Sequence, residues 1–319
     1  MKRIILGILV LGFCTATFAQ NWPNRPIRVL VGFAPGGTTD VSARVTSDIV
    51  SRELGQPVVV ENRPGGSGSI AIETLLRGAA DGYTILVGSD SSFYQPVVSP
   101  KLSYRTERDL RPITILVSQP IIIAVHPAPG WKNINDLVKA ARAQPGEMAY
   151  SISSPTGTQA LAGLIFFQMA KVKLTAVPYK GGGQAVVDLI SGHVPVAVLG
   201  AAPLVPQAKA GRIKLLAVTS KKRSKALPDV PALAEMGYPE MDIDQWFGAM
   251  APAAMSADIA NRFAAAYNKA LSDPKVVERL FNAGLEVVGG SPEEMARRMK
   301  IETATWSKAA KEAGLGKTK

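Results

Sequence analysis

The sequence predicts an α/β protein of two lobes with a cleft between them, on three observations. Short apolar runs alternate with helix-spaced patterns along most of the chain. The alternation starts afresh at Ile121. The composition is 47% hydrophobic but only 6% aromatic, with 29 Gly and 23 Pro, which suits a core of Ala, Val, Leu and Ile crossed by many turns. At 319 residues and 19% charged, the chain is neither disordered nor collagen-like and can fill two cores.

Residues 1–19 read as an export signal: Lys2 and Arg3 supply the positive start, Ile4 to Phe13 the apolar stretch, and Thr17-Phe18-Ala19 a small-x-small cleavage site. Cleavage there leaves 300 residues with a net charge of +9 and no cysteine, because Cys14 lies within the signal. Phe13 stands where a lipoprotein signal needs a small residue. No later stretch reaches the roughly 20 apolar residues of a membrane helix; Ile113 to Val125 is interrupted by Ser118, Gln119 and Pro120. The expected product is an exported, soluble, monomeric protein.

The first unit reads βαβαβ. Ile27 to Phe33 is a continuous apolar run of the kind found in buried parallel strands. Thr39 to Leu54 has helical spacing at Val41, Val45, Ile49 and Leu54. Pro57 to Glu61 is a strand, Ser69 to Arg77 a helix and Thr84 to Val87 a strand. In such a unit the crossovers are right-handed and ligands meet the carboxyl ends of the strands.

In the second unit, strands are expected at 121–125, 148–152, 174–177, 194–199 and 213–218, with helices at 133–143, 157–170, 181–190 and 203–210. A basic loop, Ser220 to Lys225, leads to a strand at 243–250 and helices at 257–271, 274–283 and 292–313. Residues 20–121 and 224–319 therefore make a discontinuous first lobe, and 122–223 the second.

The loop Phe33-Ala34-Pro35-Gly36-Gly37-Thr38-Thr39-Asp40 joins the first strand to the first helix. Pro35 stiffens the turn, the two glycines admit a ligand close to the backbone, and a helix start adds unpaired N–H groups and partial positive charge. This favours a small carboxylate, although the same residues also suit a plain tight turn capped by Thr39 or Asp40. Ser153-Ser154-Pro155-Thr156-Gly157-Thr158 and Val177-Pro178-Tyr179-Lys180-Gly181-Gly182-Gly183 repeat the device in the second lobe. Gly66-Ser67-Gly68-Ser69-Ile70-Ala71 with Asp90 matches a dinucleotide fingerprint. The preceding Glu61-Asn62-Arg63-Pro64 turn is foreign to that fingerprint, and we read the segment as a strand-to-helix turn.

Catalytic constellations are weak. Thiol catalysis is excluded in the mature chain, His126 and His193 lack metal-ligand spacing, and there is no G-x-S-x-G elbow. Lys221-Lys222-Arg223 and Arg297-Arg298 lack the aromatic interleaving of nucleic-acid sites. No metal, cofactor or nucleic acid is expected.

The blocks Asn24-Arg25-Pro26-Ile27-Arg28, Phe33-Ala34-Pro35-Gly36-Gly37 with Asp40, and Leu54-Gly55-Gln56-Pro57-Val58-Val59-Val60-Glu61-Asn62-Arg63-Pro64-Gly65 carry a family resemblance. Asp81-Gly82-Tyr83-Thr84, Val177-Pro178-Tyr179-Lys180-Gly181, Ala217-Val218-Thr219-Ser220 and Trp246-Phe247-Gly248 continue it. Across nearly its whole mature length the chain resembles the substrate-binding proteins of tripartite tricarboxylate transporters, the Bordetella uptake gene (Bug) family. The resemblance implies a two-lobe, type II-like periplasmic binding protein. Such a protein closes on a small di- or tricarboxylate or aromatic carboxylate and delivers it to membrane permease subunits. It further implies an anion cradle of Phe33, Pro35, Gly36, Gly37 and Thr38 braced by Asp40. An opposing cradle of Ser153, Thr156, Gly157 and Thr158 would face it, with Ser89, Tyr179 and Ala202 along the cleft. Gly200-Ala201-Ala202 replaces an acidic or amide residue of many members, which argues against an amino-acid ligand. Two other readings stay open: presentation of the ligand to a membrane sensor kinase, and a secreted α/β enzyme.

Overall fold

The computed structural model describes residues 22–99 and 101–312. The expected signal 1–19 with Cys14, and residue 313 of the last expected helix, lie outside the described residues.

The chain opens with β1 (Ile27–Val31), α1 (Thr38–Leu54), β2 (Val58–Asn62), α2 (Ser69–Leu76) and β3 (Thr84–Ser89). β1 lies between β2 and β3, parallel to both. Three four-residue helices follow, α3 (Asp90–Phe93), α4 (Gln95–Val98) and α5 (Thr106–Asp109), before β4 (Leu110–Val125). The second lobe runs α6 (Ile134–Ala143), β5 (Ala149–Ile152), α7 (Thr158–Met169), β6 (Thr175–Pro178), α8 (Gly182–Ser191), β7 (Val196–Gly200), α9 (Ala201–Lys209) and β8 (Lys214–Val218). The chain then returns through β9 (Asp244–Pro252), α10 (Ala257–Leu271), α11 (Pro274–Asn282), β10 (Glu286–Gly289) and α12 (Pro292–Glu312).

The ten strands of the described residues join in one sheet, ordered β2-β1-β3-β9-β4-β7-β5-β6, with β10 and β8 also paired to β4. β4 is the member common to both lobes. Its first part, Leu110 to Pro120, runs antiparallel to β9, while Ile121 to Val125 pairs with β7 and β8. The sequence-based strand at 121–125 is therefore only the last third of the real one. Proline cannot donate to a ladder and is tolerated in strands where pairing is irregular. Pro112 sits at a register shift and Pro120 where β4 changes partners, so the features that hid the strand also mark its breaks.

Side-chain alternation along β4 divides the core. Ile122 and Ala124 join a large cluster running beneath both lobes, from Val29 and Val87 to Leu199 and Leu204. Ile121, Ile123 and Val125 face the second-lobe cluster of Tyr150, Phe166 and Phe167. A third cluster packs Phe93, Tyr94 and Trp246 against Met295 and Trp306 of α12. Each such fully buried large apolar side chain contributes about 1.5–3 kcal/mol.

Residues 219–243 strap the second lobe back to the first. Thr219 N–H donates to Ile121 O (2.9 Å) and Ile243 N–H to Thr219 O (3.0 Å), so the strap leaves and re-enters beside the partner change in β4. Leu233 and Met241 pack in the second-lobe cluster, whereas Leu227 and Val230 join the shared one. Among the described residues, no helix is long and apolar enough to cross a membrane.

Candidate functional site

Among the described residues, four helices of nine residues or more begin at the cleft, and each begins on a glycine. α1 starts after Gly37, α7 after Gly157, α8 after Gly181 and α9 after Gly200, and none of the four has a side-chain cap. A helix start exposes N–H groups without intrahelical acceptors and a partial positive charge of about half a unit. Ordinary N-cap residues would satisfy some of those donors with a side-chain oxygen; glycine cannot. At α7 and α9, one first-turn N–H is taken by the protein: Thr158 N–H donates to Ser91 Oγ (3.0 Å) and Ala201 N–H to Gln119 Oε1 (2.8 Å). At α1 and α8, the first turns remain available on opposite sides of the cleft.

These starts surround a narrow cavity between the lobes. Phe33, Thr38, Ser89 and Ser153 line it, with Gly37 and Thr39 from α1, Gly182 from α8, Gly200 and Pro203 from α9, and Gln159, Gln245 and Phe247. Among the described residues, no Lys, Arg or His and no carboxylate lines this space.

Several sequence-selected residues lie elsewhere. Gly36 adopts a left-handed backbone (φ 80°) and donates its N–H to Asp40 Oδ2 (3.0 Å). Asp40 Oδ1 accepts from Arg44 Nε (2.9 Å) and Asn62 Nδ2 (2.8 Å). That carboxylate is saturated by its own loop and holds the turn in shape. Pro35 meets the second-lobe loop, and a methyl group at Gly183 would collide with its carbonyl. Ala34 N–H donates to Lys180 O (3.0 Å) across the same contact.

Thr156, Gly157 and Thr158 face the first lobe rather than the cavity. Ser154 Oγ donates to Ser67 Oγ (2.6 Å), Ser67 also hydrogen-bonds with Thr156, and Thr156 Oγ1 donates to Gln95 Oε1 (3.0 Å). The glycine-rich segment that resembles a dinucleotide fingerprint thus carries Ser67 to the opposite lobe. Tyr179, placed along the cleft by sequence, turns its hydroxyl to Asp188 and does not line the cavity. Burial first, and then the Asp188 hydrogen bond and charge, push its pKa up to about 12. Ala202 packs into the shared core.

The residues that sequence reading missed are three buried amides beneath the cavity. Gln119 on β4 accepts from Thr38 Oγ1 (3.0 Å) and Ala201 N–H (2.8 Å), tying α1 of one lobe to α9 of the other. Gln245 on β9 accepts from Gln119 Nε2 (3.2 Å) and Gln159 Nε2 (3.1 Å), and donates to Asp90 Oδ1 (3.3 Å) and Ser91 Oγ (3.2 Å). Gln159 Oε1 accepts from Ser153 Oγ (2.7 Å). A methyl group at Gly200 would coincide with the Gln119 amide, so that glycine is a packing requirement as well as a helix start. Asp90 behind them is pushed up to about 7, chiefly by burial and then by the Glu302 charge, against hydrogen bonds from Ser91, Thr158 and Gln245.

Known proteins give this geometry a context. Residues 42–315 match the model of the tripartite tricarboxylate transporter family receptor. R. palustris Rpa4515, solved with adipate, is 33% identical, with a TM-score of 0.88 over 92% of this chain and 99% of that one. The periplasmic binding protein BugD is 29% identical, with a TM-score of 0.88 over 93% and 100% of the two chains. MatC from Rhodopseudomonas palustris, solved with bound malate, is 27% identical, with a TM-score of 0.85 over 90% and 99%. The two-lobe, type II-like fold of periplasmic binding proteins is common to them and to this chain.

Proposed function

Since the chain belongs to the tripartite tricarboxylate transporter receptor family, we propose that it is a periplasmic solute-binding protein. It captures a small carboxylate between its lobes and passes it to a membrane permease. The observation that carries this reading is the pair of uncapped helix starts, Gly37 to Thr39 and Gly182, meeting from opposite lobes over one cavity that no charged side chain lines. A carboxylate oxygen is the natural acceptor for such donors, and fixed main-chain dipoles bind it with little side-chain reorganisation.

The mechanism is lobe closure. The carboxylate first meets the α1 start, with Thr38 and Ser89 beside it. Closure then brings the α8 and α9 starts over the far side and completes the contacts of Ser67, Ser91 and Gln245 with the second lobe. A ligand that engages both lobes binds only the closed form and shifts the population toward it. A carboxamide analogue is disfavoured because it replaces one acceptor oxygen with an N–H donor and so leaves a buried N–H unpaired, at about 1–3 kcal/mol. An amino acid finds no carboxylate on the cavity wall for its ammonium group. Adipate and malate, bound by relatives, define the class to try first.

The test is a thermal-shift screen of mono-, di- and tricarboxylates on the purified mature protein, followed by calorimetry and by mass spectrometry for turnover. Stabilisation by one or a few carboxylates, unchanged on recovery, is the expected result. Indifference to every carboxylate, or chemical conversion of one, would reject the proposal.

A further inference from the structure

The parallel strands β5, β6 and β7 end at the cleft, so their starts mark the opposite pole of the second lobe. Val125 at the end of β4 pairs there with Val196 and Lys214. Arg142, Lys171, Lys173, Arg212 and Lys214 gather at the turns of this pole beside the exposed Glu147, and all five cations are exposed. Arg142 Nη2 donates to Ala170 O (2.9 Å) and Gly146 N–H to Lys173 O (2.9 Å), which draws these turns into one surface. Among the described residues, none of these five forms an ion pair. Across residues 122–218 there are nine Lys and Arg against three Asp and Glu. The corresponding end of the first lobe is neutralised differently: Arg25 pairs with Asp81 at 3.0 Å and lies over the Tyr83 ring.

We propose that the basic pole of the second lobe docks on an anionic phospholipid surface, holding the protein at the membrane while its cleft stays clear. A bilayer fits better than a protein partner. Stable protein interfaces centre on apolar and aromatic anchors, and the exposed large apolar side chains of this lobe, Leu164 and Val187, lie within α7 and α8 rather than on the polar turns. Separate lysines and arginines on short turns suit mobile headgroups, and each brought to an anionic surface raises partitioning about fivefold. The attraction is screened within about 10 Å at 0.1 M salt. It is independent of which solute occupies the cleft.

The experiment is flotation of the mature protein with phosphatidylcholine vesicles prepared with and without phosphatidylglycerol, over a salt series. Binding to the anionic vesicles alone, weakening as salt rises, is expected. The triple variant K173E/R212E/K214E should partition about a hundredfold less. The variant K269E/K275E/R279E, which changes net charge equally on exposed first-lobe positions, should lose about fivefold or less. Both variants should keep the parent melting temperature, which shows that they are folded. Equal losses in the two variants would mean that net charge alone acts, and would overturn the assignment. So would absence of vesicle binding, including the case where detergent-solubilised permease captures the protein through the same residues.

Discussion

Helix starts at the cleft and helix starts on the outer surface are built from different residues. On the outside, Asn133 accepts from Asn135 and Asp136 N–H at the start of α6. Ser256 accepts from Ile259 N–H at α10, and Asp273 from Lys275 and Val276 N–H at α11. At the cleft, α1, α7, α8 and α9 begin on bare glycines. Stability favours the first arrangement by about a few tenths of a kcal/mol per cap. At α7 and α9 the protein supplies one acceptor, through Ser91 and Gln119; at α1 and α8 the second arrangement makes sense where a solute supplies the oxygen. The difference separates helices that serve the fold from helices that serve binding, and it can be probed one start at a time.

Gly37→Asp converts a cleft start into an outer one. Its backbone is extended (φ −80°, ψ 168°), which any residue tolerates, and an added Cβ meets nothing nearer than 3.5 Å. The new carboxylate would occupy the α1 donors and repel the solute. Calorimetry should show at least a hundredfold loss of carboxylate affinity with no fall in melting temperature; retained affinity would place the solute elsewhere. Gly183→Ala acts at the second-lobe start without touching the donors. Its methyl group would collide with the Pro35 carbonyl and block closure. About thirtyfold weaker binding is expected, with small-angle scattering that shows no compaction when ligand is added.

Asp90→Asn tests the buried amides behind the starts. The folded pKa of Asp90, about 7, is raised above its ordinary 3.8. Its contribution to stability is therefore fully present below about pH 4 and lost as pH rises through about 7, because the burial that raises the pKa opposes the charge. The variant should remove that decline and melt several degrees higher than the parent at pH 8, with a few-fold change in affinity. A parent melting temperature flat from pH 4 to 8 would contradict the assignment. Asn133→Ala, at an outer start, should cost about 1 kcal/mol in denaturant unfolding and leave carboxylate affinity unchanged.

Much of this organisation is legible before folding. The continuous apolar run of β1 followed by Pro35, Gly36 and Gly37 announces a strand, a turn and a helix start, because glycine and proline restrict the backbone locally. The repeated strand-loop-helix pattern after Ile121 similarly announces the run of elements from β5 to β8. What stays hidden depends on distant pairing. Gln119, Gln159 and Gln245 carry no recognisable spacing, and their meeting beneath the cavity follows from strands and helices far apart in sequence. The four residues of β10 are too short to show a period, yet they pair with β4 through Val117. β4 itself was obscured by its prolines. Tyr179 sits in the expected loop, but the nearby Asp188 claims its hydroxyl, an outcome that the loop pattern alone does not contain.

The sixteen residues of β4 have a consequence for how this protein can be divided. Its last five positions supply pairing to both β7 and β8, while its earlier positions hold β9 and β10. A gene fragment cut at residue 121 would sever a single rod and expose raw ladder edges on both halves. Neither half is therefore an autonomous module, and a chimaera that exchanges lobes between relatives must carry the entire rod with one parent.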